Sequence, residues 1–119
     1  MHPENEKLKH LIGKSAILPL VGRRVPIIGD DYADPEKGTG AVKITPAHDF
    51  NDFEVGKRHH LPQVNVLTVE AKLDLRDNSA FLDNVPTSAE LDETLTLEGA
   101  DRFVARKKIV ERLDAAGLL

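Results

Sequence analysis

GTGAVKITPAHDFNDFEVGKRH, residues 38–59, changes its period halfway along. Across Ala41–Thr45 the side chains alternate. Val42 and Ile44 point to one face and Ala41, Lys43 and Thr45 to the other, which predicts a short strand. Pro46 closes it, and Asp49 opens a helix that runs to about His59. A strand end feeding a helix N-terminus suits a polar site, because unpaired backbone N–H groups and the helix dipole face it. Lys43, Thr45, His48, Asp49 and Asp52 gather at this junction. Only Pro46–His48 separate the strand from the helix, so Lys43, Thr45, Asp49 and Asp52 are expected on one concave surface. Each also has a bland reading. Asp49 suits an N-cap, with Asp52 as an acidic N3 residue reaching back to it, and Lys43 suits a solvated strand face. His48 beside two carboxylates lacks the second half of a metal site. His59-His60 at the helix end read as a surface pair compatible with the dipole.

Working outward, Ser15–Leu20 and Arg23–Ile28 are apolar-rich runs around Val21-Gly22 and predict a hairpin. Pro19 and Pro26 each remove a ladder donor, so these strands are expected to be edges or to carry bulges. Residues 2–13 predict a short turn or helix ended by Gly13, and residues 29–40 a loop. Pro62 precedes another predicted strand, Gln63–Thr68, while residues 69–86 show no strong period. Thr87 and Glu90 have capping-box spacing. In the last element Phe103, Ala105, Ile109, Val110, Leu113 and Ala116 fall in one helical arc of about 160°. Arg106 lies within that arc, which predicts a structural arginine met by a carboxylate or carbonyls.

The 119 residues suit one domain. The apolar fraction of 40% can supply a core, built mainly of Ile, Leu, Val and Ala, since only four Phe and one Tyr are present. The net charge is −4, and it is uneven. Residues 70–101 carry nine acids against two Lys/Arg, and residues 102–112 five Lys/Arg against one acid. No broad basic surface follows, so the chain is a poor free-standing nucleic-acid binder. The absence of cysteine excludes disulfides and thiol chemistry. No apolar run approaches the ~20 residues of a membrane span, and no signal-peptide pattern is visible, so a cytoplasmic protein is expected. Walker, GxSxG and HExxH motifs are absent, and Gly38-Thr39-Gly40 fails the dinucleotide fingerprint because position 43 is Lys.

Taken together, residues 17–62 closely resemble the editing insertion of valyl-tRNA synthetases. The specific part is GTGAVKITPAHDFNDFEVGKRH. The closing segment LEGADRFVARKKIVERLDAAGLL is similar to the end of the same insertion. The resemblance implies an α+β fold, a small β-barrel decorated by helices. Residues 1–119 would then form a partial editing domain lacking an upstream threonine-rich strand. The implied reaction is hydrolysis of threonyl-tRNA(Val) with valyl-tRNA spared, since a hydrophobic synthetic site rejects the near-isosteric threonine poorly. On this resemblance Asp52 anchors the α-ammonium group of the ester, and Lys43 and Asp49 join it as catalytic residues. Thr45, His48, Gly38, Thr39 and Gly40 line the substrate. The partner is the aminoacylated 3′ end of tRNA(Val). Editing needs no cofactor or metal, and ATP and Mg belong to a synthetic domain whose signatures this sequence lacks. With part of the pocket wall absent, weak activity of the chain alone is expected, and an exposed strand edge could pair two copies as a homodimer. The alternative is a non-catalytic binding module of the same fold, presenting an aminoacyl-ester pocket.

Overall fold

The computed structural model describes residues 1–119. Two short strands, β1 (Ser15–Ile17) and β2 (Arg24–Pro26), pair as the predicted hairpin and form the one sheet. They are shorter than the apolar runs around them. Pro19 and Pro26 have no N–H to extend a ladder, and neither strand is buried.

The chain divides into two compact units, Met1–Ala16 with Arg24–Val64, and Ile17–Arg23 with Asn65–Leu119. In the first, helix α1 (Phe50–Arg58) forms as expected, and Val55 and Ala33 are buried in the core. Residues 9–11 make one 3-10 turn, and Gly13, at φ +89°, leads the chain into the hairpin through its N–H to the Ile27 carbonyl at 2.9 Å. Ala41–Thr45 is not a strand, because no neighbouring backbone pairs with it. Its donors go to side chains instead: the Ala41 N–H to Thr39 Oγ1 at 3.2 Å and the Thr45 N–H to Asp52 Oδ2 at 2.9 Å.

The second unit holds three helices, α2 (Ser79–Leu82), α3 (Ala89–Leu95) and α4 (Arg102–Ala115). Its core is Leu20, Val21, Leu75, Phe81, Leu91, Leu97 and Ala105. The predicted strand at Gln63–Thr68 is absent. One bridge joins Leu67 to Leu73, and the Leu67 N–H turns back to Asn65 Oδ1 at 3.0 Å. The expected cap at Thr87 moves one residue on. Ser88 Oγ accepts from the Leu91 N–H at 3.0 Å, and the Glu90 carboxylate accepts from the Leu20 N–H rather than closing a capping box.

Helix α4 is also rotated from the predicted arc. Ala105 is buried and Ile109, Arg112 and Leu113 are half-buried, whereas Phe103 and Val110 are exposed. Arg106 is exposed and forms no ion pair, so the structural arginine is Arg112. Its guanidinium donates to Thr94 Oγ1 at 2.7 Å and to the Glu90 carbonyl at 3.2 Å, and it pairs with Glu93 at 3.2 Å. Buried Thr94 in turn donates to the Leu20 carbonyl. Satisfying that buried network outweighs exposing one Phe and one Val, because an unpaired buried polar group costs about 1–3 kcal/mol.

Candidate functional site

The site begins with the cap of α1. Asp49 is extended at φ −139°, and its Oδ1 accepts from the N–H groups of Asn51 at 2.9 Å and Asp52 at 3.0 Å. This is the N-cap geometry, and it satisfies two of the four free donors of the first turn. Asp52 is the N3 residue, as its spacing requires, but it does not reach back to Asp49. Its Oδ2 accepts instead from the Thr45 N–H at 2.9 Å and the Thr45 hydroxyl at 3.3 Å. Lys43 Nζ donates to that same hydroxyl at 3.3 Å.

Lys43, Thr45 and Asp52 therefore form one hydrogen-bonded chain, with Asp49 holding the helix turn beneath it. Asp52 is only 4% exposed, Thr45 is half-buried, and Lys43 and Asp49 reach solvent. A carboxylate so buried needs compensation, which the Thr45 donors and the helix N-terminus provide. Residues 46–48 make the turn between them, closed by the His48 N–H to the Thr45 carbonyl at 3.1 Å. Gly56, one turn past Asp52, makes the close packing possible. A Cβ there would lie 2.9 Å from Pro46 Cβ.

The other expected residues stand apart from this chain. The His48 side chain is exposed and makes no hydrogen bond. Gly38-Thr39-Gly40 forms the preceding turn, with the Gly40 N–H on the Lys37 carbonyl at 2.9 Å. Gly40 is buried at φ +82°, and a Cβ on it would meet Asn5 Nδ2 at 2.4 Å, so only glycine fits. Asn5 is itself buried, and its Oδ1 accepts from the Lys7 and Leu8 N–H groups at 3.0 and 3.1 Å. No group of three or more His, Asp or Glu side chains gathers as a metal ion would need.

Two features have no sequence signal, because they join residues far apart. Partial desolvation, then the negative charges of Asp52 and Asp49, raise the pKa of the Tyr32 phenol above the ordinary value. Asp30 binds the far end of α1. Its carboxylate accepts from Arg58 Nη2 at 2.8 Å and Nε at 3.1 Å, and from His59 Nε2 at 2.9 Å. Hydrogen bonding from Arg58 holds the Asp30 carboxyl well below the usual range, opposed by burial and reinforced by the Tyr32 N–H and His59. His59 is thus half-buried against Asp30, not the surface histidine its position suggests, and only His60 of the pair is exposed. An open hollow of about 580 Å³ lies over this cluster, lined by Pro3, Gly29, Asp31 and Tyr32 among others.

Comparison with known proteins assigns the chain to a family. The chain is 63% identical over 119 residues to the valine–tRNA ligase of Rhodopseudomonas palustris, 62% over 119 residues to that of Nitrobacter winogradskyi, and 58% over 120 residues to that of Mesorhizobium japonicum. Each match takes in 100% of this chain and 12–13% of the relative, so the chain spans about an eighth of the length of these ligases. A family model described as leucyl-tRNA synthetase, editing domain, matches residues 2–114, and the chain belongs to that family of synthetase editing domains.

Proposed function

We propose that these residues form part of the editing pocket of a valine–tRNA ligase, where the threonyl ester on the 3′ end of tRNA(Val) is hydrolysed and the valyl ester is spared. The observation that carries the reading is the buried Asp52 carboxylate tied to Thr45 and Lys43 at the start of α1, in a chain of the editing family. Thr45 occupies Asp52 Oδ2, which leaves Oδ1 for the α-ammonium group of an aminoacyl ester. Lys43 Nζ, held against the Thr45 hydroxyl, is a donor for the ester carbonyl or the side-chain hydroxyl of threonine. A pocket that hydrogen-bonds that hydroxyl leaves its own groups unpaired with valine, which is the useful direction of discrimination.

In the reaction, water adds to the ester carbonyl carbon, the bond to the ribose oxygen breaks, and that oxygen leaves protonated. The water is positioned rather than deprotonated by a strong base, and no cofactor or metal enters this step. Asp49 acts by fixing the helix turn, and the Gly38–Gly40 turn shapes the approach to it. ATP and Mg serve the ligation of valine elsewhere in the parent enzyme, which works in the cytoplasm. The β1–β2 hairpin is then part of the small β-barrel of the family.

The test is Asp52→Ala in the full-length ligase. Deacylation of threonyl-tRNA falls about 10- to 150-fold, the worth of one charge-assisted hydrogen bond, while valine activation is retained. Unchanged deacylation removes Asp52 from the mechanism. Tight binding of a non-hydrolysable threonyl-tRNA analogue with no turnover by the unaltered enzyme favours a binding module instead.

A further inference from the structure

Gly56 is the only glycine within a helix, and its backbone is not in the left-handed region that would call for glycine. Glycine is among the poorest helix formers, because it has the most chain freedom to lose, so a helix of nine residues holds it at a cost. What the position needs is space. Gly56 is buried, and a Cβ built on it would lie 2.9 Å from Pro46 Cβ and 3.0 Å from Pro46 Cγ. Both residues of this contact are tied to the site. Gly56 stands four residues after Asp52, on the same face of α1, and Pro46 directly follows Thr45. The segment that carries Lys43 and Thr45 therefore meets α1 at two neighbouring points. One is the pair of Thr45 bonds to Asp52 Oδ2, and the other is the seat of Pro46 on Gly56.

We propose that Gly56 and Pro46 are positioning residues for the Lys43–Thr45–Asp52 site: the missing Cβ lets Pro46 seat on α1, and that seat sets the distance from Thr45 to the carboxylate on which the substrate ammonium docks. This deepens the editing reading and rests on it. Neither residue touches the ester. The seat has little slack. Ordinary van der Waals contact with a Cβ begins at 3.4 Å, so a methyl group at position 56 pushes Pro46 back by about 0.5 Å or more. The Thr45 hydroxyl is already 3.3 Å from Asp52 Oδ2 and 3.3 Å from Lys43 Nζ. Moving Thr45 back with Pro46 breaks its hydroxyl bond to Asp52, since a contact beyond about 3.5 Å is no hydrogen bond, and carries Lys43 away from the carboxylate. A misplacement of about 1 Å can cost on the order of 10²-fold in rate, and half that distance about 10-fold.

The test is Gly56→Ala in the full-length ligase, read with and without Pro46→Gly, which removes both atoms that the new methyl group would strike. G56A lowers kcat for threonyl-tRNA deacylation about 10-fold, with KM little changed and valine activation retained. Alanine is the better helix former, so a weakened helix does not account for that loss. P46G alone loses some rate because it loosens the turn. Adding G56A to P46G then costs less than about 3-fold, because the space is open and the two substitutions are coupled. The double variant has no clash to relieve, so its comparison with P46G carries the test even where G56A fails to fold.

A G56A cost that is the same in both backgrounds overturns the proposal, because the loss then does not pass through Pro46. So does valine activation that falls in step with deacylation. Unchanged deacylation in G56A beside a loss in D52A overturns it too, and leaves the editing reading standing. Unchanged deacylation in D52A overturns both.

Discussion

The polar networks of the two units are built over very different sequence distances. In the first, Asp52 is satisfied by Thr45, seven residues away, and by a cap three residues away. In the second, Thr94 reaches the Leu20 carbonyl across 74 residues, and Arg112 reaches Thr94 across 18. Both networks bury a polar side chain, to 4% exposure in each case. The local one could be inferred from spacing, because a proline, a three-residue turn and an N-cap leave few ways to place the next carboxylate. The long-range one could not, because no local pattern says which arginine of α4 will find a partner.

The comparison can be broken most directly at Thr94. Thr94→Val keeps the shape and removes the hydroxyl that joins Leu20, Glu90 and Arg112. It should destabilise the chain by about 1–3 kcal/mol, measured by urea unfolding, since Arg112 Nη1 and the Leu20 carbonyl both lose a partner. A loss no larger than that of an exposed threonine would mean the network is ornamental.

A smaller effect sharpens the contrast at the start of α3. Ser88→Ala should cost about 1 kcal/mol and Thr87→Ala close to nothing, because Ser88 holds the Leu91 N–H. The reverse order in melting experiments would restore the cap that sequence spacing places at Thr87.

The smallest effect is expected at Arg106. Arg106→Ala should change stability by no more than about 0.5 kcal/mol, as for an exposed side chain with no partner. Thermal unfolding of the variant beside Thr94→Val measures both, and a loss at Arg106 comparable to that at Thr94 would return α4 to the arc its periodicity predicts.

Legibility follows the same division. The hairpin, α1 with its Asp49 cap and the gathering of Lys43, Thr45 and Asp52 were readable from the sequence, since each depends on neighbours within a few residues. Alternation at Ala41–Thr45 predicted a strand that the structure does not form. It could not say that Asp52 and Thr39 side chains, not a second strand, would take the donors. Tyr32, Asp30 and Asn5 were illegible for another reason. They lie in stretches read only as a loop or a short turn, and the groups they interact with are 17 to 35 residues away in sequence: Asp52 and Asp49 for Tyr32, Arg58 and His59 for Asp30, Gly40 for Asn5.

The hairpin tip has a consequence for how the chain is made. Residues 17–23 belong to the unit otherwise formed by residues 65–119, although they emerge between two segments of the other unit. Leu20 and Val21, both buried in the finished protein, must therefore wait on the ribosome for helices some 60 to 95 residues downstream. At about 5–20 residues per second of synthesis, that is an exposure of several seconds. The same connectivity means that no single cut releases the second unit whole. A C-terminal piece beginning after residue 64 would leave Thr94 and the Glu90 carboxylate without their Leu20 partner and the core without Leu20 and Val21, so proteolytic trimming should end in unfolding rather than in a stable half.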